Sequence, residues 1–202
     1  MTLSQDEVLE EFRAAQALLE GHFILSSGLR SAAYLQCARV MMDPARGTRL
    51  CAALAEKLRG AGLASGIGGI VSPAMGGVVV GYEMGRQLGL PAMFFERVGT
   101  EFQLRRGFAM EPGVRYLLVE DVVTTGLSSR ECIAAALSAG GKVVAACALV
   151  DRSGGRADVG VPFVPLISLD IPVFQADQVP PELQALPAVK PGSRALGAGI
   201  EA

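Results

Sequence analysis

Tyr116-Leu117-Leu118-Val119-Glu120-Asp121-Val122-Val123-Thr124-Thr125-Gly126-Leu127-Ser128 reads as an apolar strand, a polar turn and the opening of a helix. The strand is expected to end at Val119, with the Thr124-Thr125-Gly126 turn exposing backbone N–H groups. Ser128 or Ser129 would open the helix that begins near Arg130-Glu131. A helix N-terminus with free N–H donors attracts a phosphate monoester. The carboxylates of Glu120 and Asp121 would repel that phosphate, so a ligand satisfying both halves carries hydroxyls or a cation beside it. A ribose 5-phosphate meets both demands. An ordinary helix cap needs one polar residue, whereas Glu120 to Ser128 offers five polar side chains in nine residues.

Working outward, continuous apolar runs alternate with helical periods. Ile67–Val71, Ala92–Phe95, Tyr116–Val119 and Val143–Val150 are expected strands; Gly76–Leu88 and Ser129–Ala139 are expected helices. Such alternation predicts an α/β fold, doubly wound, with a mainly parallel sheet flanked by helices. Ligands of such sheets collect beyond the C-terminal strand ends, where Ser72, Glu96, Glu120 and Asp151 are expected to emerge. Upstream, Ser4 to Glu20 has helical apolar spacing with a Ser4/Glu7 capping box. Gly21–Gly28 and Ala33–Cys37 suggest two short strands, and Pro44 opens a helix with Leu50, Leu54 and Leu58 on one face. The proline-rich tail predicts a short strand over Val164–Leu169, loops and a small helix near Pro181–Gln184.

At 202 residues the chain suits one domain with a substantial core. A net charge of −2 gives no basic face for nucleic acid, so none is expected as a partner. The cysteines, Cys37, Cys51, Cys132 and Cys147, form no Cys-x-x-Cys pair and read as buried thiols of a reducing compartment. The polar, acidic start does not read as a secretory signal, so a cytoplasmic setting is expected. Gly60 to Tyr82 is uncharged and long enough to span a bilayer, but its eight glycines and Pro73 argue for buried strand, loop and helix instead, with no membrane contact. His22, the sole histidine, reads as structural rather than as a general base.

The Val119–Ser128 stretch resembles the phosphoribosyl pyrophosphate (PRPP) signature of type I phosphoribosyltransferases. That resemblance implies PRPP contacts from Glu120, Asp121, Val122, Val123, Thr124, Thr125, Gly126, Leu127 and Ser128, the two acids holding the ribose hydroxyls. Further segments are similar to orotate phosphoribosyltransferases: Gly21-His22-Phe23 through Gly28 with Ser31 and Tyr34 as a hood, and Ser72-Pro73-Ala74-Met75-Gly76-Gly77 as a pyrophosphate loop. Phe95-Glu96-Arg97 looks like the start of the mobile catalytic loop, Val150-Asp151-Arg152 like the post-strand arginine, and Lys190–Arg194 like one bacterial ending.

The resemblance implies conversion of orotate and PRPP to orotidine 5′-monophosphate and pyrophosphate, in pyrimidine biosynthesis. Mg²⁺ would be held by PRPP and water with no direct protein ligand. Thr124 and Arg152 would contact orotate, and Ala74, Met75, Gly76 and Gly77 the diphosphate. A homodimer is implied as well. The organisation implied is a single phosphoribosyltransferase domain over 1–202, with a hood from about 1–40 and 165–202 on a core of about 41–164. Where many relatives carry lysines, this chain has Ser26, Gly76 and Val98-Gly99-Thr100-Glu101. Arg97, Arg105 and Arg106 are therefore the candidates for diphosphate neutralisation. Two alternatives stay open: a phosphoribosyltransferase for a purine or other base, and a non-catalytic PRPP-sensing regulator.

Overall fold

The computed structural model describes residues 2–25 and 28–191. Ser26 and Ser27 of the hood segment, and Gly192-Ser193-Arg194 of the bacterial ending, lie outside the described residues. The first helix, α1 (Gln5–Ala14), opens on the expected box: Glu7 N donates to Ser4 Oγ at 3.3 Å, and Ser4 N donates to Glu7 Oε2 at 2.7 Å. It stops at Ala14 rather than Glu20. Gln16 turns the chain with a left-handed φ of 50°, and Leu18, Leu19 and Glu20 enter strand β1 (Leu18–Ile24), antiparallel to β2 (Arg30–Leu35). Two leucines in a row fit a helix face or a strand equally well, and pairing with Leu35 and Tyr34 decides for the strand.

A short helix, α2 (Cys37–Met41), begins where the second strand was expected to end. Next, α3 (Pro44–Gly60) starts with Asp43 accepting from Ala45 N at 2.9 Å and with Pro44 in its first turn, where a missing N–H costs nothing. Strand β3 (Gly69–Pro73) begins two residues later than expected, with the Tyr116 ring packed on the bare Cα of Gly69. Helix α4 spans Gly76–Leu88, as the sequence predicts, and ends on Gly89 at φ 70°. Strand β4 (Ala92–Val98) then folds back as a hairpin with β5 (Glu101–Leu104).

The decisive strand, β6 (Arg115–Val123), runs four residues past Val119. Glu120, Val122 and Val123 keep their partners Ala148, Val150 and Asp151 on β7 (Lys142–Asp151), so the acidic pair sits inside the ladder and not after it. Between them comes α5 (Leu127–Ser138). The remaining elements are β8 (Phe163–Ser168), β9 (Val173–Phe174), α6 (Pro181–Gln184) and β10 (Ala188–Val189).

Six strands form one sheet in the order β5-β4-β3-β6-β7-β8, parallel except for the β5 edge, and four form a small sheet, β10-β1-β2-β9. Alternation along β6 divides the core. Leu117 and Val119 pack with Leu50, Leu54 and Val80 on the α3/α4 face, while Tyr116 and Leu118 pack with Cys132 and Ala136 of α5 on the other. A sheet covered on both faces buries its strands completely, which is why they read as unbroken apolar runs. Among the described residues no helix is long and apolar enough to cross a membrane; the Gly60–Tyr82 stretch divides into the end of α3, β3 and α4.

Candidate active site

Strand alternation sends the two adjacent carboxylates to opposite sides of β6. Glu120 faces α5 and is 6% exposed, with its Oε1 accepting from Ser129 Oγ at 3.0 Å. Burial, and then the neighbouring Asp121 charge, push the Glu120 carboxyl up to about 8, against the pull of the Ser129 hydrogen bond. Asp121 turns the other way, toward the start of α4, where its carboxylate lies against the Cα of Gly76. A β-carbon at residue 76 would collide with it. Burial raises the Asp121 pKa too, with bonding to backbone N–H groups opposing the shift.

Two helix N-termini flank this pair. The residue before α5 is Gly126 and the one before α4 is Met75, neither bonding the first turn through its own side chain; on α5 Thr125 Oγ1 takes the Leu127 N–H at 3.3 Å. Their free N–H groups are donors awaiting anions. Gly126 is required by its backbone: φ is 81°, and the Asp158 carbonyl lies where a side chain would go. Arg130 clamps the same junction by donating to the carbonyls of Thr125 and Asp158. Exposed Thr124, Thr125, Leu127 and Ser128 surround the opening. The Ala74–Met75 bond is cis, and Met75 and Gly76 are exposed at the mouth of the second loop.

A cavity of about 560 Å³ lies over the α5 start, bounded by Glu120, Val122–Ser129 and Arg152 below and, above, by Leu25 and Leu29 from the β1–β2 connection and Tyr34 and Val173 of the small sheet. Asp121 and Ala74–Gly77 do not line it; they extend the site along the neighbouring loop, joined by the Asp121–Gly76 contact. Arg152, 5% exposed, donates from Nη2 to Ser31 Oγ at 2.9 Å, while its Nε is buried without a partner. Burial lowers its pKa from the ordinary arginine value, and Tyr34 opposes that shift. Among the described residues Arg152 makes no ion pair. It therefore does not close the sheet as a salt bridge, and its guanidinium keeps a donor without a protein partner. Asp151 beside it is occupied structurally, accepting from Ser153 N at 2.8 Å and Gly155 N at 2.8 Å.

The three loop arginines are not brought into this cavity. Arg97 donates to Glu131 Oε2 at 2.6 Å and lies 4.2 Å over the Phe102 ring, bracing the β4–β5 hairpin on α5. Arg106 pairs with Glu96 at 2.7 Å, holding that carboxyl below the usual range, and Arg105 is exposed. A larger hollow of about 720 Å³ between the hairpin and α5 lies away from the acidic pair and contains no catalytic constellation. Ser129 was missed as a site residue. The signal was its spacing, which puts it at the third helical position directly behind Glu120.

Together, fold and site define an α/β protein built to hold a phosphorylated sugar. Residues 44–182 match the phosphoribosyl transferase domain, and the chain belongs to that family. It is 66% identical over 193 residues to the orotate phosphoribosyltransferase of Rhizorhabdus wittichii, covering 96% of this chain and 98% of the relative. Identity to the Maricaulis maris orotate phosphoribosyltransferase is 59% over 194 residues, 96% of this chain and all of the relative. Among solved structures, the orotate phosphoribosyltransferase of Aeropyrum pernix superposes with a TM-score of 0.69 at 28% identity, covering 80% of this chain and 93% of that one.

Proposed function

We propose that this chain transfers the 5-phosphoribosyl group from PRPP to orotate, giving orotidine 5′-monophosphate and pyrophosphate. One observation carries the reading: two helix N-termini whose cap residues bond no first-turn N–H through their side chains flank a buried acidic pair, and an arginine without a carboxylate partner lines the cavity over the α5 start. The backbone N–H groups of 124–128 suit the 5-phosphate, and those near Gly76 and Gly77 suit the diphosphate, where glycine permits close approach. Glu120 and Asp121 would hold the ribose hydroxyls and stabilise the positive charge that builds on the ring as diphosphate departs. Thr124 and Arg152 would receive orotate, whose planar carboxylate matches a guanidinium edge. The unpaired state of Arg152 favours a carboxylated base over a purine.

Among the described residues no three metal-ligating side chains converge; a divalent ion would enter on the oxygens of PRPP and water, without a direct protein ligand. Bound there, Mg²⁺ would neutralise charge on the leaving diphosphate. The hood would be the small sheet with its flanking segments. The exposed loop arginine, Arg105, is the one free to approach the diphosphate; Arg97 and Arg106 would first have to leave Glu131 and Glu96. Met75, Val79 and Tyr82, 83%, 52% and 70% exposed at helical spacing, form an apolar face on α4 that supports a homodimer. Four buried free cysteines support a reducing, cytoplasmic setting. The test is incubation of the protein with PRPP, Mg²⁺ and a panel of free bases: orotate alone is consumed if the reading holds, and consumption of only purines, or of nothing, rejects it.

A further inference from the structure

The small sheet has a second side, and it carries polar groups that the sugar-phosphate cavity does not use. A separate cavity of about 480 Å³ is lined by His22, Arg30, Asp177, Val179, Gln184 and Leu186. His22 is 8% exposed, and its Nδ1 lies 3.3 Å from the Leu186 carbonyl oxygen. A carbonyl oxygen can only accept, which assigns the N–H of the neutral ring to Nδ1 and leaves Nε2 as a lone-pair acceptor. That Nε2 is buried without a partner. So is Nη1 of Arg30, and among the described residues the Arg30 guanidinium forms neither an ion pair nor a hydrogen bond. His22 and Arg30 both line this cavity, and each carries one buried nitrogen without a partner.

We propose that this cavity binds a small oxyanion that also carries a hydroxyl, of which hydrogen phosphate is the simplest member, at a site separate from the one that holds PRPP. An anionic oxygen would accept from Arg30 in a charge-assisted bond, and the ligand's own O–H would donate to His22 Nε2. A plain carboxylate satisfies only the first demand. Exposed Asp177 at the rim disfavours more highly charged ligands such as a diphosphate.

Position gives the site a consequence. Arg30 and Ser31 are adjacent on β2 and project to opposite faces. Ser31, fully buried, is the residue that receives Arg152 Nη2 at 2.9 Å. A ligand on Arg30 therefore fixes the strand that positions Arg152 over the substrate cavity.

The single histidine supplies the reporter, because its Cε1–H resonance is the only one of its kind in the full chain. Inorganic phosphate is titrated near neutral pH against sodium chloride of matched ionic strength, with the His22 resonance followed. The titration is repeated in Thr125→Asp, whose added carboxylate repels phosphate from the loop at the α5 start. The expected result is a saturable shift with phosphate only, retained in Thr125→Asp and moved to at least about tenfold higher concentration in Arg30→Gln. An unmoved resonance, a shift lost in Thr125→Asp, or an unchanged midpoint in Arg30→Gln overturns the proposal. If Arg30→Gln does not fold, the wild-type and Thr125→Asp titrations decide it alone.

Discussion

Removing the Ser129 hydroxyl asks whether Glu120 works as an ionised group. The bond from Ser129 Oγ to Glu120 Oε1 is 3.0 Å long, and the two residues are 1% and 6% exposed, so water cannot replace it easily. Burial and the Asp121 charge lift Glu120 to about 8, while Ser129 acts to lower it. A hydrogen bond to a charged group contributes roughly 1.5–3 kcal/mol, and one pKa unit corresponds to about 1.4 kcal/mol, so its loss raises Glu120 by about one unit or somewhat more. If ionised Glu120 holds a ribose hydroxyl and the developing cation, kcat/KM for PRPP climbs with pH up to about 8 in the wild type. In Ser129→Ala that limb moves up by about one unit: activity falls about tenfold near pH 7 and converges on the wild type at high pH. Ser129→Thr, which keeps the hydroxyl, restores the original profile. Initial rates of orotate consumption across pH measure this. A limb that stays in place, or a loss equal at every pH, refutes the reasoning.

Arg152→Ala leaves the orotate carboxylate unpaired in a buried site, and kcat/KM for orotate is expected to fall at least about 30-fold, a loss of about 2 kcal/mol or more, with the KM for PRPP little changed. Steady-state kinetics with each substrate varied in turn check the split. Gly126→Ala places a side chain at φ 81° against the Asp158 carbonyl; the left-handed conformation alone costs about 1–2 kcal/mol, so Tm falls by at least about 2 °C in a thermal melt. Glu120 holds a raised pKa in the fold, so the folded state binds more protons than the unfolded one between 4.5 and about 8. Its contribution to stability therefore declines as pH rises through that window and is flat above it. Glu120→Gln removes the decline, which Tm measured across the same pH range detects.

Much of this architecture is legible in the residues. The apolar run before Glu120 and the polar turn after it identify the central strand and the turn into α5, and α4 spans Gly76–Leu88 as the sequence predicts. Charge misleads at one point: Glu120 and Asp121 look like residues leaving a strand, yet the ladder with β7 continues through Val123, holding Glu120 buried beside the Ser129 hydroxyl. The Leu18–Glu20 error has a different cause, since local spacing carries no information about a partner strand that follows ten residues later. Nor does it reveal that Arg97 folds onto Glu131 or that Ser31 seats Arg152. Those contacts join elements far apart in the chain, and only tertiary packing brings them together.

A crystal soaked with ribose 5-phosphate tests the central claim most directly. The phosphate is predicted on the backbone N–H groups of 124–128, with the 2′ and 3′ hydroxyls against Glu120 and Asp121. Ribose 5-phosphate bound elsewhere, or density absent from that turn while the cavity stays open, contradicts the account.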